Sequence, residues 1–145
     1  MFSTIIRSLA GLLIILLGIG AGATVWLKSA HYPSEAIALA QEFVARLRAH
    51  EFARAYELTA KNQLVGRDPN EFEQIAQHQF CPVTRLAGTT PFQSNGSRLR
   101  RRVYGLEVEM PELHVEFDGG CLFQVTLRHK VRGQWEIYNF QSHAG

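Results

Sequence analysis

The densest chemistry in the chain is a basic run, Arg98-Leu99-Arg100-Arg101-Arg102. Guanidinium groups hold a fixed positive charge and several N–H donors each, so four of them close together attract anions. Two readings stay open from sequence. One is a solvated strand start. The other is an anion or partner patch, formed by Arg98, Arg100, Arg101 and Arg102, for lipid headgroups, an acidic partner or an anionic ligand. Tyr56, Tyr104 and Tyr138 are the candidates for polar groups lining an interior cavity. A phenol takes part in acid–base chemistry when a carboxylate or another tuned group stands beside it. No inward carboxylate is evident here, and a buried tyrosine that bonds locally is the plainer alternative. The histidines, His31, His50, His78, His114, His129 and His143, are scattered and form no His-Glu-x-x-His stretch. The sequence shows no glycine-rich phosphate loop and no nucleophile elbow. No catalytic residue, cofactor or metal is therefore expected, and a non-catalytic role is the preferred reading.

The two cysteines, Cys81 and Cys121, both follow the most apolar part of the chain. An oxidising compartment would permit a disulfide between them. The alternative is two buried thiols acting as small apolar groups.

Compartment is set by the elements that precede these residues. No acid or base occurs in the 20 residues from Ser8 to Leu27, a run flanked by Arg7 and Lys28. As a helix rising about 1.5 Å per residue, such a run crosses a hydrocarbon core of about 30 Å. Trp26 stands where an interfacial aromatic belongs. A signal peptide cleaved near Ala23, after Ala21-Gly22-Ala23, would instead release a secreted protein. The run continues through Val25, Trp26 and Leu27, a length that favours an uncleaved anchor. The expected organisation is a membrane anchor or signal segment over 1–28, a linker over 29–33 and an α+β domain over 34–145. The expected location is a single pass in the cell membrane with the C-terminal domain extracytoplasmic. The formal net charge of +2 is too small to point to nucleic acid.

Within the domain, Ser34 reads as an N-cap, and Ile37, Ala40, Phe43, Val44 and Leu47 recur at helical spacing. The region of His50 and Glu51 reads as a break before a short helix through Phe52, Ala55, Tyr56 and Leu58. Asp68-Pro69-Asn70-Glu71 is a helix start with a cap, a first-turn proline and a capping-box glutamate. Phe72, Ile75, Ala76 and Phe80 continue its apolar stripe, and Cys81-Pro82 ends it. Residues 87–97 read as loop. Period-two alternation then predicts strands through Tyr104–Met110, Leu113–Phe117, Cys121–Leu127 and Trp135–Phe140, with turns at 118–120 and 132–133. Those turns place Phe117 opposite Cys121, Val115 opposite Phe123, Leu127 opposite Tyr138 and Val125 opposite Phe140. The same register sends Leu122, Trp135 and Ile137 to the outer face, as an apolar interface candidate.

Helices followed by an antiparallel meander indicate an α+β fold with helices packed on one face of the sheet. The stretches EFVARLRAHEFARAYELTA, DPNEFEQIA and RGQWEIYNF, in that order, resemble the NTF2-like, cystatin-like superfamily of cone-shaped domains over roughly residues 34 to 141. The resemblance implies a curved antiparallel sheet wrapped on helices. It also implies one of three roles: isomerase or dehydratase, ligand carrier, or non-catalytic membrane-anchored domain of a bacterial envelope machine. With an apolar anchor in front, the chain looks like the last group. The expectation is an envelope, periplasmic protein-interaction or assembly domain with a protein partner or homodimer. The alternative is a small-molecule-binding or isomerase-like protein that uses the cone cavity.

Overall fold

The computed structural model describes the backbone of residues 2–130 and 133–143, and the side chains of residues 11, 13–130 and 133–143. Its elements in chain order are α1 (Phe2–Lys28), α2 (Ser34–Arg48), α3 (Phe52–Glu57), α4 (Pro69–Gln79), β1 (Val83–Thr90), α5 (Asn95–Val103), β2 (Glu112–Gly119), β3 (Leu122–His129) and β4 (Trp135–His143). The four strands form one antiparallel sheet in the order β1-β2-β3-β4. The class is α+β. The chain divides into two compact units, one of residues 1–31 and 93–108, the other of residues 32–92 and 109–145.

The first unit holds α1 and α5. The uncharged run 8–27 falls within α1, though its side chains at 8–10 and 12 lie outside the described residues. Among the described residues, no helix is long and apolar enough to cross a membrane. Residues 104–110, expected as a strand, contain none: Tyr104 caps α5 and is 72% exposed. The apolar alternation of Tyr104, Leu106 and Val108 comes from a helix end and a loop, not from a half-buried strand.

The second unit buries the apolar stripes of α2, α3 and α4 against one face of the sheet. Ala36, Ala40, Phe43, Val44 and Leu47 of α2 are buried, spaced as a helix facing a core demands. The helix starts one residue earlier than expected, at Ser34 itself. Pro33 takes the cap position, its carbonyl accepting from the Ile37 N–H at 3.1 Å. Asp68 caps α4 by accepting from the N–H groups of Asn70 and Glu71, and the Glu71 carboxylate accepts from the Arg67 N–H. An aromatic group fills the centre. Phe140 lies 5.3 Å from Phe43, 5.6 Å from Phe72 and 6.1 Å from Phe123 between ring centroids.

The loop expected over 87–97 divides into the end of β1, a four-residue connection and the start of α5. β1 is an edge strand that buries Val83 alone. It therefore lacks the alternation by which a strand announces itself. Between β2 and β3, Phe117 pairs with Phe123 and Val115 with Val125. That is a two-residue shift from the expected register, which keeps every side chain on its expected face.

β4 corrects the expected register more deeply. The Lys130 N–H donates to the Gln134 carbonyl at 2.7 Å, which makes the connection one residue longer than a turn at 132–133; Arg132 itself lies outside the described residues. His129 then pairs with Trp135 and Leu127 with Ile137. A bulge beside Thr126 and Leu127 absorbs the extra residue, so Val125 still meets Phe140. Ile137 is consequently 0% exposed, Trp135 packs against the core, and Tyr138 turns to the other face. Leu122, 39% exposed, has no apolar cluster with Trp135 and Ile137. The outer face is instead polar. Arg128 bonds Glu112 at 2.9 Å and lies 3.3 Å over the Tyr138 ring, and His114 meets the Thr126 hydroxyl at 3.0 Å.

Candidate functional site

Each feature singled out in the sequence has a definite place. Tyr56 is buried, and its hydroxyl donates to the Arg67 carbonyl at 2.7 Å, a structural bond that ties α3 to the loop before α4. Tyr138 is stacked under Arg128, and Tyr104 belongs to the first unit. Within the second unit, Tyr56 in the core and Tyr138 on the opposite face of the sheet therefore do not share a cavity lining. Cys81 and Cys121 are joined as a disulfide with Cα atoms 6.1 Å apart, linking the end of α4 to the β2–β3 turn. Among the described residues, no three His, Cys, Asp or Glu side chains converge where they could hold a metal ion.

The four arginines sit on a helix rather than a strand, which changes which of them act together. α5 has the sequence NGSRLRRRV, a poor core former, and its ends explain why it folds. At its start Ser94 and Ser97 form a reciprocal capping box: each side chain accepts from the other residue's N–H, at 3.2 and 3.1 Å. At its end the Gly105 N–H donates to Arg102 and the Leu106 N–H to Arg101, at 3.1 and 2.9 Å. That pair of bonds is a Schellman closure. It needs a left-handed residue, supplied by Gly105 at φ 66°. Both signals were present in the sequence, as Ser-x-x-Ser and a glycine after the basic run, but the apolar alternation downstream obscured them.

On a helix, residues three, four and seven apart share a face. Asn95, Arg98, Leu99 and Arg102 form such a stripe, and with Trp26 and Val108 they line a cleft of about 160 Å³ within the first unit. Arg100 does not line it. The cleft is fixed by the α1 end. The Asn95 amide donates to the Trp26 carbonyl at 3.2 Å and to the Ser29 hydroxyl at 2.9 Å, and the Asn95 N–H donates to the Ser29 carbonyl at 3.1 Å. His31 faces Arg98 with Nδ1 3.3 Å from Nη1. The Arg101 guanidinium donates to the Glu107 carbonyl. From Asn95 to Leu106 there is no acidic side chain. The cleft thus presents guanidinium groups, an indole and a leucine side by side, a combination that receives an anionic group carried on an apolar body.

A second, more open cleft of about 190 Å³ lies in the second unit between α2 and β1, lined by Val44, Arg48, Leu86 and Phe117 among others. Arg48 there donates to the Val83 carbonyl, which employs its charge in holding the edge strand. No family model, curated protein or solved structure matches the chain.

Proposed function

We propose that this chain is a membrane-anchored envelope protein whose extracytoplasmic α+β unit, an NTF2-like domain, works by contact with other proteins rather than by catalysis. The observation that carries the reading is the apolar run of α1. From Leu13 to Trp26 its side chains, Leu, Ile, Val and Trp, are exposed around the helix, and Trp26 is 55% exposed. A helix that is apolar on every side is stable in water only if something covers it, and a bilayer is the cover that a 20-residue uncharged run fits. The disulfide supports an oxidising, extracytoplasmic setting. The aromatic filling of the second unit supports a structural interior over a reaction chamber. The order of helices before an antiparallel meander is the support for the NTF2-like reading.

Intact mass of the purified chain, combined with membrane fractionation, tests the anchor. The expected result is a membrane-bound species that retains residues 8–27. A soluble species beginning near Thr24 would show the segment to be a cleaved signal. Crosslinking in intact membranes tests the contact role: adducts above the monomer mass are expected, and monomer alone would contradict it.

A further inference from the structure

We infer that the cleft between the end of α1 and the arginine-rich face of α5 binds the phosphate of an anionic phospholipid, holding α5 at the bilayer surface. The inference rests on the anchor reading, and adds to it the lipid class and the residues that select it. Three observations converge. The cleft lies at the Trp26 end of α1, the turn that an anchor places at headgroup level. Its stripe offers Arg102 for a phosphate, next to Arg98, whose Nη1 meets His31 Nδ1 at 3.3 Å, with Trp26 and Leu99 beside it for the glycerol and upper acyl region. The rest of the unit is built for the same boundary: Leu99, Val103, Tyr104 and Leu106 are exposed apolar or amphipathic groups interleaved with Arg100, Arg101 and Arg102. A short cationic helix with exposed apolar side chains is the composition that lies in an anionic interface.

Charge complementarity selects the occupant. Between Asn95 and Leu106 the segment carries four arginines and no carboxylate, so its own charge favours an anionic headgroup over a zwitterionic one. Each cationic side chain held near an anionic leaflet favours it by about fivefold, the ratio corresponding to about 1 kcal/mol.

The test uses the full chain with Trp135→Phe, which leaves Trp26 as the sole indole. In dodecyl maltoside micelles doped with brominated phosphatidylglycerol or brominated phosphatidylcholine, bromine near Trp26 quenches its emission. The expected result is stronger quenching by the anionic lipid, with an apparent affinity at least about fivefold higher. Arg102→Ala should remove most of that preference, Arg102→Lys should keep part of it, and Arg100→Ala, outside the cleft, should keep the larger share. Unchanged far-ultraviolet circular dichroism verifies the fold of each variant. Equal quenching by the two lipids overturns the lipid selectivity while leaving the anchor intact. Quenching by neither overturns both. Equal losses in the Arg100 and Arg102 variants would show a diffuse surface charge and overturn the cleft. Competition by millimolar inorganic phosphate would mark a site for soluble anions and overturn the lipid assignment.

Discussion

The Asn95 side-chain amide donates to the Trp26 carbonyl at 3.2 Å, tying the first turn of the arginine-rich helix to the last full turn of α1. The next residue shows how close the approach is: a Cβ at Gly96 would stand 2.9 Å from the Leu27 carbonyl oxygen, so a backbone would have to move. Asn95→Ala should therefore cost roughly 0.5–1.5 kcal/mol of local stability, the net worth of a hydrogen bond. Gly96→Ala should cost more, because it displaces α5. Hydrogen exchange of amides 93–108 measures both, and exchange should quicken there while amides of β2 and β3 keep their rates. Unchanged exchange in the Gly96 variant would show that the two helices are not held together.

The disulfide closes a loop spanning a sequence separation of 40 residues. In the chain-entropy model such a loop stabilises the fold by about 4 kcal/mol. Urea unfolding of the solubilised chain with and without reductant should show a loss of that order or smaller. Identical midpoints in the two conditions would contradict a bond between Cys81 and Cys121.

Ile137→Ala removes a side chain that is 0% exposed and packed in the core. The expected loss is about 2–4 kcal/mol, from lost transfer energy and a cavity. Leu122→Ala, at a 39% exposed site, should cost less than about 1 kcal/mol. Equal costs at the two sites would contradict the bulge that turns Ile137 inward.

These two residues also mark where sequence stops being legible. The helices over 34–48, 52–57 and 69–79 could be read because a core-facing stripe and an Asp68 cap are local signals. So could the alternation of β2 and β3, where Val115, Phe117, Phe123 and Val125 share the buried face. The face of Ile137 was not local. Its N–H donates to Leu58 and its carbonyl accepts from Ala60, so a segment 77 residues away helps to set the bulge in β4. β1 was hidden because an edge strand that buries one residue has no periodicity. The arginine run was visible, but its grouping was not, because strand spacing pairs Arg100 with Arg102 whereas helix spacing pairs Arg98 with Arg102.

Arg85 and Asp118 meet at 2.6 Å across β1 and β2. The Arg85 hydrogen bond, then its charge, hold the Asp118 carboxyl below the usual carboxylate range, with a smaller contribution from the Gly119 N–H. A depressed folded-state value means that this pair stabilises the fold above the unfolded carboxyl value of about 3.9, and that the contribution is lost as pH falls through the folded value. A carboxyl-carbon NMR titration should show Asp118 titrating lower in the native chain than in Arg85→Ala. The same midpoint in both would contradict the pairing.

Anchor and compartment can be read together in one measurement on cells expressing the full chain. Cells are quenched in acid, membranes are extracted with alkaline carbonate, and the thiols are reacted with a polymer-linked maleimide before and after reduction. The chain is expected to stay in the carbonate pellet, to take up no polymer before reduction and to take up two after it, one each on Cys81 and Cys121. A chain released into the carbonate supernatant, or one already carrying two polymers before reduction, would contradict a membrane-anchored protein with an oxidised extracytoplasmic domain.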